Sequence, residues 1–205
     1  MAEAVALGAG ARGRTAPNPN VGCVVVAGGE VVGRGATEQG GRPHAEAVAL
    51  AQAGEQAQGA TLYTSLEPCA HRSIRGPTCA HLITKAGVGR VVAALEDPDK
   101  RTAGEGVRSL REAGIQVDVG ESAYAAAESM AGWLTRMRTG RPRITLKLAL
   151  SIDGKVALPS GESKWITGED ARRHVHLERA HSDMILVGRG TLMADRPRRS
   201  EGLSA

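Results

Sequence analysis

The chain has 205 residues, 41% hydrophobic and 23% charged, with a formal net charge of +4. That is the balance of a globular protein rather than a disordered or fibrous one, and no run approaches the roughly 18 apolar residues of a membrane span. The basic residues are scattered apart from 136–143 and 196–199, and Trp133, Trp165, Tyr63 and Tyr124 are the whole aromatic set. They offer no stacking platform for single-stranded nucleic acid, so nucleic acid is not expected as a partner, and an anionic small molecule suits the charge better.

Without Phe the core must be aliphatic. The N-terminus lacks the basic-then-apolar order of a secretory signal. Three cysteines fit a cytoplasmic protein with metal ligands or free thiols better than a disulfide framework.

In chain order, residues 2–11 read as a short Ala-rich helix. Runs 21–27 and 30–36 are β-rich and flank Gly28-Gly29, which signals a hairpin. A helix is predicted over 44–53, closing at Gly54, then a strand over 60–66 and a helix over 78–86 stopped by Gly87. A strand at 88–95 leads into the turn Asp97-Pro98-Asp99. A helix over 103–113 ends at Gly114, a strand follows at 115–119, and one longer amphipathic helix covers 123–138. A hairpin followed by alternating strands and helices implies an α/β sheet with helices on both faces.

The turn residues Thr139-Gly140-Arg141-Pro142 mark a domain boundary near residue 140. Beyond it the pattern predicts a strand at 144–150, a polar loop at 160–167, a charged helix at 169–180 and a short strand at 184–187. The pattern collapses after Asp195, and 198–205 read as a disordered tail. Two strands and one helix in some sixty residues are too few for a core of their own.

Three features converge on a metal site: His44-Ala45-Glu46, Glu67-Pro68-Cys69 and Cys79. One imidazole and two thiolates supply three zinc ligands, and a catalytic zinc keeps its fourth position open. His44 opens one predicted helix and Cys79 another, where exposed N–H groups favour a thiolate. Glu46 is placed to take a proton from metal-activated water and pass protons to a ring nitrogen and to departing ammonia, the arrangement of zinc deaminases. The competing reading is a structural zinc closed by His71 or His81, in a module whose basic face binds a partner. Against it, structural sites use closely spaced cysteines, whereas nine residues separate Cys69 from Cys79, and a structural site leaves Glu46 without a task. Cys23, in a Val-rich strand, reads as a buried core thiol.

The ordered motifs resemble one family. They are Pro17-Asn18-Pro19-Asn20-Val21-Gly22, His44-Ala45-Glu46, Leu66-Glu67-Pro68-Cys69-Ala70-His71, Asp97-Pro98-Asp99, Arg136-Met137-Arg138-Thr139-Gly140, Leu146-Lys147-Leu148, Ser151-Ile152-Asp153-Gly154-Lys155 and Gly161-Glu162-Ser163-Lys164-Trp165-Ile166-Thr167. From residue 2 to about 197 the chain is similar to the bifunctional riboflavin-biosynthesis deaminase/reductases. The resemblance implies a cytidine-deaminase-like three-layer α/β/α domain over 1–140. It would hydrolyse the 2-amino group of 2,5-diamino-6-ribosylamino-4(3H)-pyrimidinone 5′-phosphate, with zinc on His44, Cys69 and Cys79 and with Glu46 as the catalytic acid and base. Asn18 would lie near substrate; as a plain structural residue it would be a turn former between prolines. A deaminase acting on another nucleobase compound stays open from the residues alone.

The same resemblance implies that 141–197 open a dihydrofolate-reductase-like α/β domain that uses NADPH. Ser163 and Arg179 would contact substrate, and Ala149, Trp165, Thr191 and Asp195 the cofactor. Read locally, Trp165 is equally a core residue and Arg179 a solvated helix residue. Family members commonly form homo-oligomers. Three departures stand out: the Cys-to-Cys loop is one residue longer than the family's commonest, Thr37 replaces a His found in many members, and the reductase part stops early. Met1 also falls inside the family's usual first helix. The expectation is a deaminase joined to a reductase fragment without NADPH activity.

Overall fold

Gly28 and Gly29 both have positive φ, 58° and 87°, the geometry of a tight hairpin turn whose twist matches its strands. They join β1 (Gly22–Ala27) to β2 (Glu30–Ala36), antiparallel, with Ala27 opposite Glu30. The computed structural model describes residues 1–71 and 76–195, the side chains of Ala194 and Asp195 excepted. The loop residues 72–75 and the tail expected over 198–205 therefore lie outside the described residues.

Three further strands complete one mixed sheet: β3 (Thr61–Thr64), β4 (Arg90–Ala93) and β5 (Gln116–Val119), in the order β2-β1-β3-β4-β5. β3 pairs antiparallel with β1, and β4 and β5 add in parallel. The helices are α1 (Ala2–Gly10), α2 (Ala45–Ala53), α3 (Cys79–Lys85), α4 (Glu105–Glu112), α5 (Ala123–Ser129) and α6 (Ala131–Thr139). This is the α/β architecture the sequence predicts, with β3 and β4 three and four residues shorter than their apolar runs and the other strands within one residue of theirs.

Glycines set how closely the layers approach. A Cβ on Gly22 would lie 1.9 Å from the Ala4 carbonyl oxygen of α1. On the sheet's other face, a Cβ on Gly33 or Gly35 would lie 2.2 Å from the carbonyl oxygens of Ala49 and Ala45 in α2. Adjacent strand residues face opposite ways, so α1 and α2 sandwich the hairpin. Cys23, Val25, Ala45, Ala49, Leu62, Ile83, Val91 and Leu110 belong to the aliphatic core that results. Cys23 is fully buried, as a core thiol should be.

One helix over 123–138 was expected; two are present. The break falls at Met130, whose φ is −118° and ψ 23°. The buried Asn20 side chain donates to the Ser129 carbonyl at 3.1 Å and to the Gly8 carbonyl at 3.0 Å. A carbonyl turned toward Asn20 interrupts the helical ladder at that residue.

By its contacts the chain divides into Met1–Arg143 and a unit beginning at Ile144. In the second unit, α7 (Glu169–Ala180) forms where predicted, and α8 (Arg189–Asp195) was not foreseen. The strands expected at 144–150 and 184–187 are absent among the described residues. A strand exists only where a partner takes its backbone hydrogen bonds, and here no ladder forms. Ile144 (87% exposed), Leu146, Leu148 and Ile152 project into solvent, as do Met184 and Leu186.

Candidate metal centre

Each ligand is placed by a different piece of the first unit. His44 caps α2 in extended conformation (φ −75°, ψ 158°), leaving its ring free to turn toward the sheet's end. Thr78 caps α3, its hydroxyl accepting from the His81 N–H at 3.2 Å, which sets Cys79 in the first turn. Cys69 lies on the segment after β3, whose neighbour Ala80 N–H donates to the Cys69 carbonyl at 3.2 Å.

These placements bring His44, Cys69 and Cys79 together, with their ligand atoms within 4.8 Å of one another. His44 Nδ1 is the facing nitrogen, 3.3 Å from Cys79 Sγ and 3.6 Å from Cys69 Sγ. The donor set, one imidazole and two thiols converging on one point, fits zinc. Neither candidate for a fourth ligand joins it. His71 is 3.0 Å from the Thr102 hydroxyl through Nδ1, and His81 is exposed on α3. Among the described residues the cluster therefore stops at three, the number that leaves a catalytic position open.

Sequence reasoning put the stabilised thiolate at the start of a helix. The structure puts it on Cys69 instead. The adjoining Cys79 side chain, then His44 and the Cys79 N–H (3.3 Å from Cys69 Sγ), drive the Cys69 thiol down to about 4 against the effect of burial. Cys79 itself is raised, by the neighbouring Cys69 side chain and by burial. Two adjacent buried thiols do not ionise together without a cation, so the α3 amide serves its neighbour's charge.

Glu46 is 3% exposed and accepts from Cys79 Sγ at 3.3 Å through Oε2. Burial raises its carboxyl, and His44 partly offsets that rise. Asn18 reaches the same place: Nδ2 donates to the Gly41 carbonyl at 2.8 Å and lies 3.1 Å from His44 Nε2. Gly41 permits this approach, since a Cβ there would be 2.8 Å from Asn18 and its φ is 85°. Thr37 is drawn away. It is buried, and its hydroxyl accepts from the Val21 N–H at 3.1 Å.

Two features went unseen in the sequence. A cavity of about 310 Å³ opens beside the cluster, and its walls include Arg42, His44, Gly76 and Cys79. Arg42 stands two residues before the first ligand, a position that could have marked it. A larger cavity of about 750 Å³, bordered by Leu7, Arg14 and Thr37, contains none of the three ligands. The second is the setting of Glu67, whose buried carboxylate accepts three backbone N–H groups, from Asp97, Gly104 and Val107, each at 3.0 Å. Asp97 is also buried, which pushes its carboxyl up to about 6.

The residues expected to serve a reductase lie apart from this centre in sequence and occupy varied settings. Ala149 is half-buried in a segment without strand, and Ser163 is exposed. Trp165 is 71% exposed and stacks with Arg172, 4.3 Å from the ring centre, so it is not a core residue. Arg179 is half-buried on α7, and Thr191 is exposed on α8. Asp195 ends α8, and its side chain lies outside the described residues.

Two family models match the chain. Residues 1–95 match the cytidine and deoxycytidylate deaminase zinc-binding region, and residues 142–204 match the RibD C-terminal domain. The second match runs past Pro197 into the segment expected to be a tail. Over 197 residues the chain is 50% identical to the riboflavin biosynthesis protein RibD of Escherichia coli, covering 96% of this chain and 53% of that protein. Nearly the whole chain is thus similar to RibD proteins.

Solved structures agree. RibD of Acinetobacter baumannii aligns at TM-score 0.84 with 47% identity, over 95% of this chain and 54% of that one. A diaminohydroxyphosphoribosylaminopyrimidine deaminase/5-amino-6-(5-phosphoribosylamino)uracil reductase from Thermotoga maritima aligns at 0.89 with 37% identity, over 96% and 56%. The chain thus spans about half the length of the RibD proteins it matches. No helix among its described residues is long and apolar enough to cross a membrane.

Proposed function

We propose that the first unit is a zinc-dependent hydrolytic deaminase of 2,5-diamino-6-ribosylamino-4(3H)-pyrimidinone 5′-phosphate, acting in riboflavin biosynthesis. One observation carries this reading. Three zinc-type ligands converge with no fourth among the described residues, and a buried carboxylate, Glu46, lies 3.3 Å from one of them.

His44, Cys69 and Cys79 hold the ion, which when bound supplies a Lewis acid that makes water nucleophilic near neutral pH. Glu46 then does the proton work. Its raised carboxyl sits closer to neutrality than a solvated glutamate, which suits a group that must both accept and donate a proton in one turnover. It takes one proton from the attacking water and gives it to the ring nitrogen, then takes the proton of the added hydroxyl and gives it to the leaving amine, so two protons are accepted and two returned as ammonia departs. Asn18, beside His44, orients the pyrimidine. Arg42, on the wall of the adjoining cavity, provides a cation that suits the substrate's phosphate.

The second unit is the opening segment of the family's reductase domain. In the whole domain Ser163 and Arg179 would meet substrate, and Ala149, Trp165, Thr191 and Asp195 would meet NADPH. This chain alone is expected to oxidise no NADPH, because its described residues from 144 onward form no sheet and leave the apolar side chains of 144–152 largely in solvent.

Ammonia release from the diaminopyrimidine ribosyl phosphate, with zinc measured on the same sample, tests the proposal. Release with about one zinc per chain supports it. Zinc without release under saturating substrate refutes the deaminase. NADPH consumption with the deaminated product refutes the statement about the second unit.

A further inference from the structure

Glu67 takes no part in the proton transfers above, yet its surroundings are built with care. It is 3% exposed. Oε2 accepts from the backbone N–H groups of Asp97 and Gly104, and Oε1 accepts from Val107, each at 3.0 Å. Its own N–H donates to the Leu95 carbonyl at 2.8 Å. One residue on, the Pro68 carbonyl lies against Gly106 so closely that a Cβ there would be 2.0 Å from the oxygen. Cys69 comes next. Two residues further, His71 reaches Thr102.

A buried carboxylate is costly unless several donors hold it, and hydrogen bonds to a charged acceptor are about twice as strong as neutral ones. The three amides satisfying Glu67 come from the turn after β4 and from the first turn of α4. The segment 67–71 is therefore fastened to 95–107 at four successive points, and the carboxylate is the strongest of them. Cys69 stands between the fasteners.

We propose that Glu67 is a positioning residue for the metal centre. Its carboxylate fixes the segment carrying Cys69 against the 97–107 segment, and so fixes where Cys69 Sγ meets His44 and Cys79. This rests on the zinc reading above. Gln is nearly isosteric but replaces one acceptor oxygen with a donor, which would face an N–H of Val107, or those of Asp97 and Gly104. The segment loosens while the fold's aliphatic core is untouched.

The test is the rate at which zinc-loaded protein yields its metal to a coloured chelator, at a temperature where every variant is folded. Glu67→Gln should release zinc roughly tenfold faster than wild type, the scale on which residues behind metal ligands act. Leu110→Ala, a core change on α4 that also lowers the thermal midpoint, should release at the wild-type rate. Equal rates in Glu67→Gln and wild type overturn the proposal, as does a Leu110→Ala variant that releases as fast as Glu67→Gln. Should Glu67→Gln not fold, amide exchange in the wild type decides. Zinc loading should protect the Asp97, Gly104 and Val107 amides roughly tenfold more than it protects those of β1, because coupling between sites is reciprocal; equal protection overturns it. A wild-type chain that takes up no zinc defeats the metal-centre reading itself, which sets that failure apart from a failure of Glu67 alone.

Discussion

Glu46 and Cys79 meet inside the metal centre, the thiol donating to Glu46 Oε2 at 3.3 Å across a separation of 33 residues. The proposed proton carrier is thus held by a proposed ligand, and each can be altered separately. Glu46→Gln keeps the size and an acceptor oxygen, so zinc should stay bound, while the exchangeable proton is lost. Ammonia release should fall by about 10²- to 10⁴-fold, measured beside zinc content on one preparation. A variant that retains wild-type turnover would remove Glu46 from the reaction.

Cys69→Ser should have the opposite signature. The thiol that ionises most readily, down to about 4, becomes an alcohol that does not ionise. Zinc should be lost on dialysis, and with it the stabilisation that a ligand binding only the folded state confers. The thermal midpoint of the variant should equal that of wild type measured with excess chelator. A midpoint well below that value would mean that Cys69 supports the fold independently of metal.

Asp97 gives a pH dependence with a definite sign. Burial holds its carboxyl up at about 6, against 3.8 without the fold. Between these values the Asp97 carboxyl keeps a proton in the folded chain that it has lost in the unfolded one, so its own contribution to metal-free stability should decrease as pH rises from 4 to 6, while ionisation of the folded Cys69 thiol acts the other way over the same range. The decrease should amount to about 2 kcal/mol. Asp97→Asn retains an oxygen for the Asp99 N–H, which now donates to Asp97 Oδ1 at 2.8 Å. Subtracting the variant's pH dependence from that of wild type, in urea titrations across the window, should isolate that decrease. An unchanged slope would place the proton elsewhere.

Gly35→Ala tests the contact between sheet and α2. The added Cβ would lie 2.2 Å from the Ala45 carbonyl oxygen, which belongs to rigid helix backbone, so α2 must shift. The cost should be about 1–3 kcal/mol in denaturant unfolding. Because His44 and Glu46 ride on α2, zinc affinity should fall as well. Gly28→Ala, at the open hairpin turn, should disturb stability without affecting zinc.

The ligands were legible because their chemistry is carried by residue type: one His, two Cys and one Glu in order identify the centre without coordinates. The hairpin was legible because Gly-Gly between two Val-rich runs has few other uses. The two-helix end was not, because its cause is Asn20, more than a hundred residues away in sequence. Glu67 was hidden for a related reason. Its partners are backbone amides contributed by Asp97, Gly104 and Val107, and a backbone amide leaves no mark on a sequence. The strands expected in the second unit show the converse error: the alternation at 144–150 and the apolar run at 184–187 report what a segment can pair with, and pairing needs a second strand.

The Asn20 amide spans 109 residues to reach Ser129 while its other bond holds Gly8. During synthesis the hairpin can close within seconds of emerging, whereas this clasp must wait until α5 has left the ribosome. The first helix is therefore made early and secured late, and closing so long a loop adds to the entropic barrier of folding. Asn20 makes completion of the first unit report that its last helices have arrived.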